Sequence, residues 1–144
     1  VDLDILTVDN HADGPYIYLK LLQEDPARAE EMRKLLEWNG GGTFSTGVGI
    51  GDIDWAGNVH PDQFWQDKTF GNVRERKFSE IWLDTSDELM AGLKNRLPLL
   101  KGKCATCRFL KMCGGSLRVR AFRVYDDPWM PDPACYLTDA EISL

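Results

Sequence analysis

The chain contains 144 residues, of which 43% are hydrophobic and 28% are charged, and its formal net charge is −6 at pH 7. This length is typical of a single domain, and the apolar content is sufficient for a buried core. The acidic balance argues against a nucleic-acid partner, and no run of 18 apolar residues is present to cross a membrane. No signal-peptide pattern is visible, so we expect a cytoplasmic protein.

The first part of the chain combines a predicted strand, Leu3–Val8, with two predicted helices. A polar loop should follow the strand, in the position where an α/β fold usually places its chemistry. Pro15 is placed to open one helix, and Asp25 before Pro26 predicts the N-cap of a second helix that ends at a run of three glycines. The second helix is expected to have one apolar face, formed by Ala29, Met32, Leu35 and Leu36. These elements are too few for a complete α/β domain, so we expect the end of one.

The rest of the chain has shorter elements separated by glycine and proline. A β-hairpin is predicted with its turn at residues 55–58. Ser79 is expected to cap a short helical turn, and Thr85 with Glu88 has the spacing of a capping box for another helix. The remaining predicted elements are a first hairpin strand within residues 47–53, a helix at 116–124 and an extended, proline-containing return to residue 135.

Four cysteines, Cys104, Cys107, Cys113 and Cys135, are the only ones in the chain, with the spacing C-x2-C-x5-C-x21-C. Three thiols in one tight loop and a fourth from a later segment are typical of a metal centre. Two disulfides in a secreted domain would not require three cysteines in one loop. Zinc knuckles usually have two C-x2–4-C pairs, whereas four-thiolate iron–sulfur ligation tolerates uneven steps, so the spacing favours iron–sulfur and leaves zinc open.

The charge is unevenly distributed around these cysteines. Between residues 101 and 123 there is no Asp or Glu. The basic residues in this stretch are Lys101, Lys103, Arg108, Lys111, Arg118, Arg120 and Arg123. Such cations can stabilise an anionic cluster or hold an acidic substrate, and the alternative for any one of them is an ordinary surface charge.

Several motifs resemble the SPASM extension of radical SAM enzymes, and taken together they resemble the NirJ family of haem d1 biosynthesis. The motifs are Leu6-Thr7-Val8-Asp9-Asn10-His11-Ala12-Asp13-Gly14, Gly57-Asn58-Val59-His60-Pro61, Gly71-Asn72-Val73, Phe78-Ser79-Glu80-Ile81-Trp82, Cys-x2-Cys-x5-Cys-Gly-Gly and Asp132-Pro133-Ala134-Cys135-Tyr136-Leu137-Thr138-Asp139. The resemblance implies an α+β fold in two parts. Residues 1–42 would be the end of a partial (β/α) barrel, and residues 43–144 a small SPASM-like domain with a β-hairpin, short helices and a cysteine-rich cluster-binding loop.

The resemblance also implies a ligand set. Cys104, Cys107, Cys113 and Cys135 match the positions that bind one auxiliary 4Fe–4S cluster in two-cluster SPASM domains. The second auxiliary cluster of those domains needs cysteines around the hairpin and one four residues after the third cysteine of the loop. The hairpin region here has no cysteine and the latter position is Leu117, so one auxiliary cluster is expected.

The C-x3-C-x2-C motif that binds the radical-generating cluster is absent from these 144 residues. We therefore expect a C-terminal portion of an enzyme whose N-terminal barrel supplies S-adenosylmethionine, a second 4Fe–4S cluster and the radical. The resemblance implies that the whole enzyme modifies propionate side chains of 12,18-didecarboxysirohaem and takes electrons from an external donor. The alternatives are an enzyme of the sirohaem-dependent alternative haem pathway, a zinc-stabilised interaction module without catalysis, and a standalone electron carrier.

No catalytic residue can be assigned from the sequence. The candidate substrate contacts are His11, in the loop after the predicted last barrel strand, and Arg118, Arg120 and Arg123 beside the cysteines. A hydrogen-bonded structural role is the alternative for His11, and ion pairs within the domain are the alternative for the arginines.

Overall fold

The computed structural model of the protein describes residues 9–143. The α-helices are α1 (Asp13–Glu24), α2 (Pro26–Asn39), α3 (Phe78–Leu83), α4 (Glu88–Lys94), α5 (Leu110–Cys113), α6 (Arg118–Tyr125) and α7 (Asp139–Ile142). The strands are β1 (Asp52–Ile53), β2 (Asn58–His60) and β3 (Gly71–Asn72). No helix within this described part is both long and apolar enough to cross a membrane.

The first two helices begin and end close to where the sequence predicts. The Asp25 carboxylate accepts a hydrogen bond from the Arg28 amide at 3.1 Å and caps α2, with Pro26 in the first helical position. Gly40 ends α2 in the left-handed conformation, at φ 69°. The apolar face of α2 is narrower than predicted, because Leu35 is 56% exposed while Ala29 is fully buried. The predicted strand Leu3–Val8 lies outside the described residues.

The hairpin forms with the predicted turn, but its strands are short. β1 pairs antiparallel with β2, with Ile53 opposite Val59. Residues 45–50 make local turns instead of the predicted longer first strand. A third strand that the sequence does not predict, β3, pairs antiparallel with β2, which gives the order β1-β2-β3.

Two helix starts differ from the predictions. The prediction of a capping box at Thr85 is wrong, because Asp87 caps α4 through a 2.9 Å bond from the Met90 amide. Ser79 is not a cap either, because it lies inside α3, which begins after Lys77.

Two hydrophobic clusters form the core. One is centred on Trp65, which is fully buried, and packs α4 against α6. The second cluster consists of Phe109, Met112, Leu137 and Ile142, and the partly buried residues packed against it are Tyr18, Leu19, Leu36, Cys107 and Cys135. The helices α1 and α2 therefore pack on the same apolar cluster as two of the cysteines.

Candidate metal centre

The four cysteines line one small cavity. Its other lining residues are Lys103, Phe109, Leu110, Gly115, Ser116, Asp132, Leu137 and Ile142. None of the four thiols is in a disulfide. Three segments of the chain meet at this cavity. They are the loop before α5, the last residue of α5 and the return segment that ends at Cys135.

Backbone-to-backbone packing fixes the end of the cysteine loop. Gly114 follows Cys113 with φ 60°, and a Cβ on it would lie 2.3 Å from the Thr43 amide nitrogen. A Cβ on Gly41 would lie 2.5 Å from the Met112 carbonyl oxygen. Glycine at both positions therefore allows the 3-10 turn Gly41–Phe44 to lie directly against the loop.

The return segment is held beside the loop by hydrogen bonds. The Lys103 ammonium donates to the carbonyl of Cys135 at 3.0 Å and to that of Leu137 at 3.1 Å. Helix α7, closed by a capping box between Thr138 and Glu141, then places the buried Ile142 on the cavity. The sequence interpretation did not include α7, although Thr138 and Glu141 have the spacing that predicts it.

Burial controls the protonation of the thiols. It raises the pKa of Cys104 and Cys107, and it raises the pKa of Cys113 to about 12, with the neighbouring cysteines adding to the effect. The metal-free protein therefore keeps these three groups as thiols at neutral pH. Binding of a metal requires thiolates, so it must release protons.

A single metal ion and an iron–sulfur cluster need different arrangements of the four thiols. A tetrahedral zinc with Zn–S bonds of about 2.3 Å brings its sulfurs to within about 3.8 Å of one another. Among residues 9–143, no three His, Cys, Asp or Glu side chains form a group that fits one metal ion. Four thiols around a shared cavity fit a cluster, in which each sulfur binds a different iron atom.

Six of the seven basic residues at positions 101–123 have hydrogen-bond partners inside the chain. Arg118 is fully buried and donates to the carbonyls of Gly115, Pro128 and Met130. These contacts support a structural role for Arg118, and its burial gives no support to the predicted substrate contact. The other contacts are Lys101 with Asp127, Arg108 with the Glu141 carbonyl, Arg120 with Asp132 and Arg123 with Asp67.

Arg120 and Arg123 remain partly exposed and face a second, open cavity. The lining residues of this cavity are Asp9, Phe64, Leu117, Val119, Arg120, Arg123, Val124 and Pro133. Both guanidiniums already have a carboxylate partner, at 2.7 Å for Arg120 and 2.6 Å for Arg123. Their predicted contact with substrate stays a prediction.

His11 lies close to the cysteine segment. Its backbone amide donates to Ser116 Oγ at 3.3 Å, and its Nδ1 lies 3.5 Å from the same oxygen. Burial lowers the pKa of His11, and the positive charges of Arg96 and Arg120 lower it further, so the imidazole is neutral at pH 7. A neutral imidazole can accept or donate a hydrogen bond, and the predicted role of His11 towards substrate stays a prediction.

Asp132 is the main residue of this site that the sequence interpretation did not single out. It belongs to a motif quoted for the resemblance, but nothing in the sequence indicated that its carboxylate turns back to residues 117–120. It is 2% exposed and lines the cysteine cavity. Burial alone would raise the pKa of Asp132, but hydrogen bonds from Arg120 and the Ala134 amide outweigh this effect and lower it.

The chain is similar to known tetrapyrrole synthases over nearly all of its length. It is 60% identical over 142 residues to Fe-coproporphyrin III synthase of Methanosarcina barkeri, a match that covers 96% of the chain and 35% of the relative. It is 43% identical over 140 residues to pre-heme d1 synthase of Dinoroseobacter shibae, covering 96% of the chain and 34% of the relative. An AdoMet-dependent heme synthase of Methanosarcina barkeri is 38% identical over 89 residues, 62% of the chain and 24% of that protein.

The chain thus spans about a third of the length of the first two of these relatives. No solved structure matches it significantly. Residues 50–108 match the SPASM model, described as an iron–sulfur cluster-binding domain, and this range includes Cys104 and Cys107. The resemblance that the sequence motifs indicated is confirmed by these matches. Over residues 50–108, the chain is thus similar to the SPASM family of iron–sulfur cluster-binding domains.

Proposed function

We propose that the chain binds one auxiliary 4Fe–4S cluster through Cys104, Cys107, Cys113 and Cys135. The observation that supports this most directly is the shared cavity lined by all four free thiols. The SPASM match supports the same assignment. When bound, such a cluster would supply a one-electron carrier whose potential depends on the charges and hydrogen bonds around it.

In this proposal, the side chains around the cavity have different roles. Phe109, Leu137 and Ile142 exclude water from the cavity. Lys103 fixes the return segment by donating to two carbonyls, one of them on Cys135. The thiols must lose their protons on metal binding, because only thiolates are strong ligands.

Metal analysis of the anaerobically purified 144-residue chain tests this assignment. We expect iron and acid-labile sulfide together with a broad absorbance near about 400 nm, as four-thiolate iron–sulfur ligation predicts. The Cys113→Ser and Cys135→Ser variants should lose most of both. A colourless protein with one equivalent of zinc would contradict the proposal and favour the interaction module.

We further propose that the whole enzyme is a radical SAM synthase acting on an iron tetrapyrrole. Its barrel would bind S-adenosylmethionine and the second 4Fe–4S cluster, and an external donor would supply the electrons. The relatives named as tetrapyrrole synthases support this assignment. The present chain would be the part that handles electrons beside the reaction site.

The comparisons change the favoured product. The sequence motifs alone favoured haem d1 biosynthesis, but identity to the Fe-coproporphyrin III synthase is 60%, compared with 43% to the pre-heme d1 synthase. We therefore favour formation of an iron coproporphyrin, with pre-haem d1 as the second candidate.

Product analysis separates these two candidates. The reduced whole enzyme is incubated with S-adenosylmethionine and 12,18-didecarboxysirohaem, and the tetrapyrrole product is identified by mass spectrometry. Fe-coproporphyrin III as the product supports the first candidate. Pre-haem d1 as the product would reject it in favour of the second, and formation of neither would contradict the proposed substrate class.

A further inference from the structure

We propose that the Arg120–Asp132 ion pair is a positioning element for the cluster, which locks both sides of the cysteine cavity and sets the potential of the bound cluster. This inference rests on the proposed function, because it requires a cluster on the four cysteines. It assigns Arg120 a role inside the protein that differs from the substrate contact suggested by the sequence.

The Asp132 carboxylate connects two segments that flank the cavity. Oδ2 accepts hydrogen bonds from the Leu117 amide at 3.1 Å and from Arg120 at 2.7 Å. Oδ1 accepts from the Ala134 amide at 2.9 Å and from Arg120 Nε at 2.9 Å. One oxygen therefore holds the chain that follows the third cysteine, and the other holds the chain that leads to the fourth.

The Asp132 backbone and Ser116 extend this arrangement. The Asp132 carbonyl accepts from the Cys135 amide at 2.9 Å, which ties the residue directly to a proposed ligand. Arg120 also donates to Ser116 Oγ at 3.2 Å, and the His11 backbone amide donates to the same oxygen at 3.3 Å. Ser116 is 1% exposed and adopts φ 57°, a conformation unusual for a residue with a side chain. The network thus reaches from the cavity to the loop before α1.

Burial strengthens the electrostatic effect of this pair on its surroundings. The side chain of Asp132 is 2% exposed and that of Arg120 is 30% exposed. Charges removed from water are screened less by solvent and salt, and the potential of a cluster responds to nearby charge and hydrogen bonding. Neutralising the carboxylate should therefore raise the potential, and neutralising the guanidinium should lower it.

The chain contains a matched control pair. Arg123 and Asp67 form a similar two-bond ion pair, but their side chains are 52% and 48% exposed. Neither residue lines the cysteine cavity. Water and salt screen this pair, so its removal should leave the cluster unchanged.

The experiment measures the midpoint potential and the rate of iron loss to a chelator. The purified protein is compared with Asp132→Asn, Arg120→Gln, the double variant, and the controls Asp67→Asn and Arg123→Gln. The signal of the four-cysteine cluster is identified by its absence in Cys113→Ser. We expect opposite shifts in potential for the two single variants, a near-normal value in the double variant, and loss of iron about 10- to 100-fold faster in Asp132→Asn.

The outcomes distinguish this inference from the proposed function. If the unmodified protein binds no iron–sulfur cluster, the proposed function fails and this inference fails with it. If the unmodified protein binds the cluster but the two single variants shift its potential in the same direction or not at all, only the positioning role is overturned. Shifts in the control variants as large as those in the buried pair would also overturn it. If Asp132→Asn does not retain a cluster, Arg120→Gln decides: a lower potential supports the inference and an unchanged potential overturns it.

Discussion

Replacing Gly114 by alanine should destabilise the metal-free protein by about 2–5 kcal/mol. Gly114 has φ 60°, and this left-handed conformation costs a residue with a Cβ about 1–2 kcal/mol. The new Cβ would also lie 2.3 Å from the Thr43 nitrogen and 2.8 Å from the Gly40 oxygen, two backbone atoms that form a hydrogen bond with each other. Overpacking against atoms that cannot rotate away adds about 1–3 kcal/mol.

Gly40→Ala is the matched control for this variant. Gly40 has φ 69°, so it has a similar conformational cost, but the atoms that its Cβ would meet belong to the ring of Phe44. That ring is 57% exposed and can turn into solvent. Urea unfolding of both variants should show a loss of about 1–2 kcal/mol for Gly40→Ala and a larger loss for Gly114→Ala. Equal losses would refute the contribution that we assign to the backbone contact.

Three further predictions concern titration and helix capping. Burial raises the pKa of Cys113 to about 12, so cluster assembly must release protons and should accelerate between about pH 7 and about pH 9; a rate independent of pH would contradict this. Burial lowers the pKa of His11 below 6.5, so the unfolded chain binds the proton first and the free energy of unfolding should fall as the pH drops below 6.5. His11→Gln should remove that component in urea titrations, and an unchanged pH dependence would show that other groups cause it. Asp87→Ala should lower the free energy of unfolding by about 1 kcal/mol through loss of the α4 cap, whereas Thr85→Ala should change it by less than about 0.5 kcal/mol. Thermal unfolding of both variants measures the difference, and equal losses would contradict the assigned cap.

Local signals in the sequence were sufficient for some elements and ambiguous for others. Asp25 followed by Pro26 fixes a helix start through contacts within four residues, and α2 begins there. At α4 the predicted cap, Thr85, lies two residues before the observed cap, Asp87, in a helix that buries Met90 and Leu93. The strand β3 contains only two residues, so it offers no alternating pattern to detect.

The candidate site could also be predicted only in part from the sequence. Cysteine spacing predicted a metal centre because three of the thiols lie within ten residues of one another. The partner of Arg120 was not predictable, because Asp132 is twelve residues away, beyond the end of α6 and a stretch at residues 126–131 that has no helix or strand. The packing of α1 and α2 against the cysteine segment also depends on contacts between residues about 90 positions apart, such as Tyr18 with Phe109.

The hydrogen bonds of Arg118 to the return segment should be insensitive to salt. Residues 126–137 have no strand or helix to order them, and the buried guanidinium holds them by donating to the carbonyls of Pro128 and Met130. Carbonyl acceptors have no net charge, and the contact is shielded from dissolved ions. High ionic strength should therefore dissociate the exposed Arg123–Asp67 pair, while the segment that leads to Cys135 keeps its position. A wash with concentrated salt would then remove surface contacts without opening the cysteine cavity.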